Sequence, residues 1–292
     1  MNNKTVVGIG EILWDVFPER KVLGGAPANF AYHVSQLGYD GYAVSAIGKD
    51  SLGEEIISQL DEKKLNYLID VVDFQTGTVN VTLNSHGEPQ YVISENVAWD
   101  YIPFTEQVRG LAARTQTVCF GSLAQRNTIS REMIRNYLAA MPEDSLKIFD
   151  INIRQHYYSK ALIHESLQIA NILKINDEEI TLVSKLYEWK TDEQTVCKRL
   201  IDAYNLDIVI LTKGAAGSSV ITGNMTSFLD TPIVDVVDTV GAGDAFTAAF
   251  VSALLHAGDI PAAHQLAVEV AAFVCTQHGA MPELPDTYCK LI

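Results

Sequence analysis

The chain has 292 residues, enough for one large domain with a sizeable core, alone or carrying a small second one. Apolar residues make up 48% and charged residues 20%, the proportions of a globular protein and not of a disordered chain or a fibre. The net charge of −15 and the lack of a Lys/Arg run argue against nucleic-acid or membrane-surface binding, although local N–H groups and a cation can still hold a nucleotide.

The cysteines and the apolar runs indicate the compartment. The four cysteines are widely spaced and include no C-x-x-C pair, so we expect reduced, mostly buried thiols and no zinc or redox site. The longest apolar run, around 245–255, is shorter than a membrane span, and the apolar stretch at 6–10 is interrupted by Glu11. We therefore expect a mature cytoplasmic protein that does not enter a membrane.

Short β-branched runs alternate with longer stretches of helical periodicity along the chain. This is the pattern of βαβ units around a parallel sheet, and it predicts a layered α/β core. The runs lie at 5–9, 42–46, 117–120, 146–150 and 208–212.

Two further β-rich excursions interrupt this pattern. One predicts a hairpin of 12–17 and 21–23 around Pro18-Glu19-Arg20, and the other predicts an antiparallel meander. Both are too short to hold a core, so we expect a small sheet that covers one end of a single domain, 1–292, as a lid built from about 12–25 and 70–103. The meander is predicted from runs at 71–74, 78–83 and 90–93, broken at 85–89.

A glycine-containing turn opens a predicted helix late in the chain. Residues 238–246 read Asp-Thr-Val-Gly-Ala-Gly-Asp-Ala-Phe, and small and apolar residues follow at helical spacing. The N–H groups of Gly241, Ala242 and Gly243 would point outward from a helix N-terminus, which suits an anionic phosphoryl oxygen. Asp244 in the first turn either caps the helix or accepts a proton from an attacking hydroxyl, and the flanking glycines favour the proton acceptor.

Other nucleotide-binding motifs fail on spacing. A dinucleotide fingerprint would need a third glycine where Phe246 stands, and after the first strand Gly8-Ile9-Gly10 runs into Glu11. The P-loop pattern Gly-x-x-x-x-Gly-Lys-Ser/Thr is absent from the sequence. An NAD-dependent enzyme and a P-loop kinase are therefore disfavoured.

Two motifs in the same order resemble those of the ribokinase-like (PfkB) carbohydrate kinases. One is the segment at 238–246; the other is Gly-Gly-Ala-Pro-Ala-Asn-Phe-Ala at 24–31, followed by Leu-Gly at 37–38 and Ile-Gly-x-Asp-x-x-Gly at 47–53. The resemblance covers essentially the whole chain. It implies a three-layer α/β/α core with a mostly parallel sheet, a small β-sheet lid, and a kinase that uses ATP and Mg²⁺ to phosphorylate a sugar.

Among these kinases the chain is most similar to fructokinases. The similarity rests on the segments at 10–15, 24–29, 95–100 and 120–123. It implies D-fructose as acceptor and fructose 6-phosphate as product. Ribose, 2-keto-3-deoxygluconate and nucleosides stay open as acceptors, because a few contacts can change a sugar pocket. A non-catalytic sugar or nucleotide sensor is a further alternative, against which the retained Asp244 and its glycines speak.

The resemblance assigns the sugar hydroxyls to Asp15, Gly25 and Asn29. A short carboxylate and an amide can form the paired hydrogen bonds that vicinal hydroxyls require. The alternative for Asn29 is a cap on a helix that begins at Phe30.

For the metal and the transferred phosphate, the resemblance points to three further residues. Asn176 and Glu179 match an Asn-x-x-Glu motif that places Mg²⁺ through its waters, although the same residues would also suit a helix cap. Arg154 would steady the phosphate, with a surface salt bridge as the alternative. Asp150 and Asn152 are expected to support the site, because alternate residues at a strand end point one way.

The nucleotide is expected beside two late segments. In the family, a strand-to-turn segment such as 210–217 lines the phosphates and ribose, and a segment such as 271–280 supports the adenine. Asp238 is the candidate ligand of an activating K⁺ ion. The nucleotide-binding residues implied in this way are Asn176, Thr212, Gly214, Gly217, Gly243, Ala272 and Gly279.

These assignments combine into one mechanism. Asp244 would take the proton of a primary sugar hydroxyl while the ATP γ-phosphoryl group is transferred in line to it. Gly241, Ala242, Gly243 and Arg154 would stabilise the transferring group, and closure of the lid would exclude water. The partners are thus a sugar and ATP, with a homodimer expected if the open edges of two lids pair.

Overall fold

The computed structural model describes residues 4–83 and 89–289. Its strands are β1 (Thr5–Ile9), β2 (Leu13–Val16), β3 (Lys21–Gly24), β4 (Asp40–Gly48), β5 (Asn66–Val72), β6 (Gly77–Leu83), β7 (Pro89–Ile93), β8 (Thr115–Phe120), β9 (Leu146–Asp150), β10 (Ile172–Asn176), β11 (Ile208–Thr212), β12 (Ser218–Ile221) and β13 (Thr226–Leu229). Its α-helices are α1 (Ala26–Gln36), α2 (Ser51–Glu62), α3 (Glu106–Ala112), α4 (Thr128–Ala140), α5 (Lys160–Leu167), α6 (Asp177–Leu186), α7 (Glu193–Tyr204), α8 (Ala242–Ala257), α9 (Ile260–Cys275) and α10 (Asp286–Cys289).

A 9-stranded, mostly parallel sheet forms the centre of the molecule. Its order is β13-β12-β11-β10-β9-β8-β1-β4-β5, and only the pairs β11–β12 and β12–β13 are antiparallel among the described strands. The predicted runs at 146–150 and 208–212 coincide with β9 and β11. Because β8, β1, β9, β10 and β11 run parallel, the residues that follow them emerge at one edge of the sheet.

Helices cover both faces of this sheet, as the pattern predicted. Successive residues of β1 point to opposite faces, so Val6 packs into one apolar cluster and Val7 into another. The Val6 cluster is shared with α8 and α9, and the Val7 cluster with α4 and α6. The layered α/β architecture is therefore confirmed. No helix within 4–83 or 89–289 is long and apolar enough to cross a membrane.

A separate 4-stranded sheet has the order β3-β2-β6-β7. The predicted hairpin around 18–20 is present as β2 and β3, and β6 pairs antiparallel with β7. The two hairpins join through β2 and β6, which run parallel from Leu13↔Gly77 to Val16↔Asn80. The small sheet expected from the two excursions is confirmed.

The predicted meander was wrong in one strand. Val71 and Val72, assigned to the small sheet, instead end β5, which pairs parallel with β4 at the edge of the large sheet. An edge strand has one exposed flank, and Val71 is 61% exposed, so its residue pattern resembles that of a lid strand. The break predicted at 85–89 lies almost entirely outside the described residues.

A buried ion pair ties the small sheet to the core. Arg126 ends a 3-10 turn, Leu123–Arg126, and its guanidinium makes two 2.8 Å bonds to the carboxylate of Asp100. The same guanidinium donates to the carbonyl of Ser94, just after β7, and stacks on Trp99 and Tyr157. Because both charged side chains are at most 7% exposed, this arrangement fixes where β7 leaves the small sheet.

Candidate active site

The N-terminus of α8 is preceded by a glycine turn, 239–243, called the α8 turn below. Gly241 caps the helix in the left-handed region, φ 77°, without a side-chain hydrogen bond. A Cβ at this position would lie 2.6 Å from the Cβ of Ala280, so only glycine fits. The N–H of Ala242 bonds weakly to the Thr239 carbonyl at 3.3 Å, whereas those of Gly241 and Gly243 have no partner among the described residues. The helix start expected from sequence is confirmed, with Gly241 and Gly243 as its free donors.

Asp244 does not cap its helix. It lies in the first turn, and its Oδ2 accepts a 2.8 Å hydrogen bond from Asn29 Nδ2 of α1. Burial and the charge of Asp150 raise the pKa of Asp244 to about 6, against the stabilising effects of Asn29, Lys174 and Arg154 on the carboxylate. A carboxyl group with this pKa is ionised at neutral pH and remains a competent proton acceptor.

Asn29 does not cap a helix that begins at Phe30, since α1 already begins at Ala26 with Gly25 as its cap. Its Oδ1 is buried and has no hydrogen-bond partner within the described chain. Gly25 is at φ 120°, and a Cβ there would lie 2.5 Å from the carbonyl oxygen of Glu11. Asn29 thus donates from Nδ2 to Asp244, and its Oδ1 can accept a hydrogen bond from another group.

Asp15 lies on β2 of the small sheet, at its junction with β3. Burial raises the pKa of its carboxyl group, and the positive charge of Arg154 acts in the opposite direction. A Cβ on Gly24 would approach Asp15 Oδ2 to 2.6 Å, so the glycine leaves room for this carboxylate. The charge of Arg154 also acts to lower the pKa of Asp244. Asp15 and Asp244 are therefore both within electrostatic reach of Arg154.

A small cavity lies beside Asp244, and two of its lining residues, Glu11 and Thr247, were not selected as site residues from the sequence. Glu11, Asp150 and Thr247 line it with Asp244. Asp150 Oδ1 pairs at 3.1 Å with Lys174, whose buried ammonium group lies behind the α8 turn, 3.0 Å from where a Cβ of Gly243 would lie. Burial acts to lower the pKa of Lys174, but the acids Asp150, Glu179 and Asp244 together raise it, so the ammonium stays charged.

The strand-end expectation for residues 150–154 was wrong in its geometry. β9 ends at Asp150, and Asn152 has a positive φ of 42°, so the chain turns and alternation no longer applies. Asp150 pairs with Lys174, and its expected support of the site stays a prediction. Arg154 is exposed and forms no salt bridge within the described part of the chain, yet its charge reaches Glu11, Asp15 and Asp244.

Asn176 and Glu179 form a reciprocal capping box at the start of α6. Asn176 Oδ1 accepts from Glu179 N–H at 2.8 Å, and Glu179 Oε2 accepts from Asn176 N–H at 2.9 Å. Glu179 Oε1 also accepts from Ile153 N–H, which ties α6 to the loop that carries Arg154. Each oxygen keeps a second acceptor position, so the pair fits waters of a bound Mg²⁺ ion while it caps the helix.

The expected nucleotide segments lie near this box. Thr212 at the end of β11 is the register neighbour of Asn176. Gly214 and Gly217 follow it with positive φ values of 51° and 95°, in a turn that only glycines adopt readily.

Asp238 joins the other segment expected to bind the nucleotide, 271–280, to the α8 turn. Its Oδ1 accepts from Val240 N–H at 3.0 Å, and its Oδ2 accepts from Gly279 N–H at 3.2 Å. Ala272 is buried on α9, which ends just before Gly279. The carboxylate of Asp238 therefore first holds two backbone segments together, and its oxygens retain one acceptor position each.

Comparisons with known proteins identify the family. The profile described as pfkB family carbohydrate kinase matches residues 11–287. The chain belongs to this family. It is 30% identical to a fructokinase of Klebsiella pneumoniae, across 98% of this chain and 97% of that protein. It is 27% identical to an ATP-dependent 6-phosphofructokinase of Thermoanaerobacterium thermosaccharolyticum, across 96% of this chain and 91% of that protein.

A solved structure supports the same conclusion. Fructokinase from Vibrio cholerae O395, bound to fructose, ADP and calcium ion, is 25% identical, with a TM-score of 0.83 over 100% of this chain and 99% of that one. This pfkB carbohydrate kinase thus has the ribokinase-like α/β fold and is a sugar phosphotransferase.

Proposed function

We propose that this kinase transfers the ATP γ-phosphoryl group to the primary hydroxyl of D-fructose and yields fructose 6-phosphate. One observation carries the proposal: Asp244 at the glycine turn of α8 is hydrogen-bonded to Asn29 of α1. A proton acceptor for the attacking hydroxyl is thereby held beside an amide that can bind another hydroxyl of the same sugar. The similarity to fructokinases supports fructose as the acceptor.

The sugar is held by Asp15, Gly25 and Asn29. The unpartnered Oδ1 of Asn29 accepts from one hydroxyl, and the Asp15 carboxylate accepts from others. The Asp15 carboxylate favours a neutral sugar over a sugar phosphate, because its negative charge would repel a phosphate group carried by the acceptor. This favours fructose over fructose 6-phosphate, the acceptor that the name of the Thermoanaerobacterium relative implies.

Several donors would hold the phosphoryl group. The N–H groups of Gly241 and Gly243 would donate to it, with Ala242 free to join them by breaking its weak bond to Thr239, and the exposed guanidinium of Arg154 would add positive charge. Lys174 adds a buried positive charge behind the turn.

Asn176 and Glu179 would place Mg²⁺ through its waters, and Asp238 would contribute to a K⁺ site. When bound, these cations neutralise phosphate charge. The nucleotide lies along Thr212, Gly214 and Gly217, with the adenine between that turn and the segment from Ala272 to Gly279. The positions of Asn176 and Thr212 side by side on β10 and β11 support this route.

Product analysis tests the proposal. The protein is incubated with ATP, Mg²⁺ and fructose, and the product is identified by ³¹P NMR. A phosphomonoester at carbon 6 is the expected product. Phosphorylation at carbon 1 would show that the assigned carbon is wrong. In a parallel incubation, turnover of fructose 6-phosphate in place of fructose would show that the assigned acceptor is wrong.

The small sheet also supports a proposed homodimer. In the order β3-β2-β6-β7 the described edges are β3 and β7, and Val92 on β7 is 57% exposed. Pairing of two such sheets would cover these edges. Light scattering coupled to size-exclusion chromatography should give twice the chain mass of 32.1 kDa, and a monomeric mass would rule the dimer out.

A further inference from the structure

Glu11 is a buried acid that the mechanism above does not use. It lies two residues after the end of β1, is 3% exposed, and its Oε2 has no hydrogen-bond partner within the described chain. Its main-chain carbonyl is already in close contact with Gly25. A carboxylate in such a place would be an uncompensated buried charge, which proteins avoid by protonation.

The surroundings of Glu11 are acidic. The cavity that it lines is shared with Asp150 from β9, Asp244 from α8 and the uncharged thiol of Cys119 from β8. Helix α1 contributes only Ala26, Pro27 and Phe30 to the cavity wall, and none of these titrates.

Two cations face this group of acids. Lys174 from β10 is paired with Asp150 and so neutralises that carboxylate first. Arg154, from the loop after β9, is exposed to solvent. Little positive charge is therefore left to stabilise the carboxylates of Glu11 and Asp244. Ionisation of one opposes ionisation of the other.

The hydrogen bonds decide which of the two acids keeps a proton. Asp244 receives an N–H from Asn29 and is close enough to Lys174 to be stabilised by its charge. Glu11 is stabilised only by its own main-chain N–H and by Arg154. The proton is thus held more tightly by Glu11 than by Asp244.

We propose that Glu11 is a positioning residue for phosphoryl transfer, whose neutral carboxyl group beside Asp244 keeps Asp244 ionised and ready to accept the hydroxyl proton. This inference rests on the proposed function of Asp244. When Glu11 loses its proton at higher pH, a second anion faces the cavity, and it repels the anionic phosphates that must approach Asp244. The order of titration agrees with this, because burial raises the pKa of Glu11 to about 7 and that of Asp244 only to about 6.

The first test is the pH profile of kcat/KM with the wild-type protein and with Glu11→Gln, which is isosteric and permanently neutral. The wild type should lose at least about tenfold of its activity between pH 7 and 9 as Glu11 ionises, whereas Glu11→Gln should change by less than about threefold. Glu11→Asp, which restores a titrating group, should again lose activity between pH 7 and 9. Superimposable profiles, or loss of more than about 100-fold in Glu11→Gln at pH 6.5, would overturn the proposal.

A second test needs no substrate, so it separates failure of this inference from failure of the proposed function. The free energy of unfolding of the wild type and of Glu11→Gln is measured between pH 4 and 8. Folded Glu11 keeps a proton that the unfolded chain releases above its usual pKa of 4.5, so the stability of the wild type relative to Glu11→Gln should fall between pH 4.5 and about 7. A difference that stays constant over this window would show that Glu11 is not protonated, and would contradict the proposal even if fructose is phosphorylated.

Discussion

Asn29 and Asp244 are 215 positions apart in the chain and are joined by a 2.8 Å hydrogen bond. The bond connects the first turn of α1 to the first turn of α8. In the proposed mechanism Asn29 binds the sugar and Asp244 takes its proton, so this bond would position the acceptor and the base as one unit.

Replacement of Asp244 by Asn should lower kcat by about 10²–10⁴-fold, because the amide cannot accept the hydroxyl proton. The fold should persist, since the substitution is isosteric and removes a carboxylate that burial disfavours. Coupled measurement of ADP formation gives the rate, and circular dichroism checks the fold. Glu54→Gln is the matched control, because it alters an exposed acid in the first turn of α2 and should leave kcat within about twofold. Activity of Asp244→Asn close to wild type would remove Asp244 from the role of base.

The acidic limb of the pH profile should report Asp244. With a pKa of about 6, Asp244 is increasingly protonated below that pH, so kcat/KM should fall about tenfold per unit there. Asn29→Asp should shift this limb to higher pH, because a second carboxylate replaces the N–H donor that stabilises ionised Asp244. An acidic limb that does not move in the variant would mean that another group controls it.

Gly241→Ala should impair both folding and nucleotide binding. The new Cβ would lie 2.6 Å from the Cβ of Ala280, and the alanine backbone would have to adopt the unfavourable φ of 77°. Gly258→Ala at the other end of α8 is the matched control, since Gly258 has φ 69° and open space around it. We expect a loss of about 1 kcal/mol for the control, from backbone conformation alone, and about 2–4 kcal/mol for Gly241→Ala. Urea unfolding measures both, and equal losses would show that the contact with Ala280 relaxes freely.

The buried pair between Arg126 and Asp100 should dominate the stability of the link to the small sheet. Arg126→Met leaves the Asp100 carboxylate buried without its partner, which should cost about 3–5 kcal/mol. Arg135→Met, in the exposed pair with Glu165, should cost about 0–1 kcal/mol. Thermal unfolding of the two variants compares them directly. Similar melting temperatures would mean that Arg126 does not anchor the structure as described.

The sequence predicts the core because its strands are buried on both faces. The run at 208–212 becomes β11 without a shift, since continuous apolar, mostly β-branched residues suit a central parallel strand. The run at 146–150 becomes β9 although Lys147 interrupts it. The strand β10 was not predicted, and it carries the buried Lys174, a residue type that is seldom buried without a partner. That lysine is tolerated inside only because Asp150 pairs with it across neighbouring strands, a contact invisible along the chain.

The site was predicted where a motif fixes the backbone, and missed where tertiary contacts confer the role. Gly241 and Asp244 were identified because a glycine turn before an apolar helix has few other purposes. Glu11 was noticed only as a break in an apolar stretch. An acid two residues after a fully buried strand is the signal that could have selected it, since the carboxyl ends of parallel strands converge.

ADP formation across a panel of acceptors tests the central claim most directly. The wild type and Asp244→Asn are assayed with ATP and Mg²⁺, with and without K⁺, in the presence of fructose, fructose 6-phosphate, ribose, glucose, adenosine or 2-keto-3-deoxygluconate. We expect strong stimulation by fructose, lost in Asp244→Asn. Stimulation by another acceptor in place of fructose would contradict the sugar assignment, and ADP formation that no acceptor stimulates would contradict the proposed kinase activity.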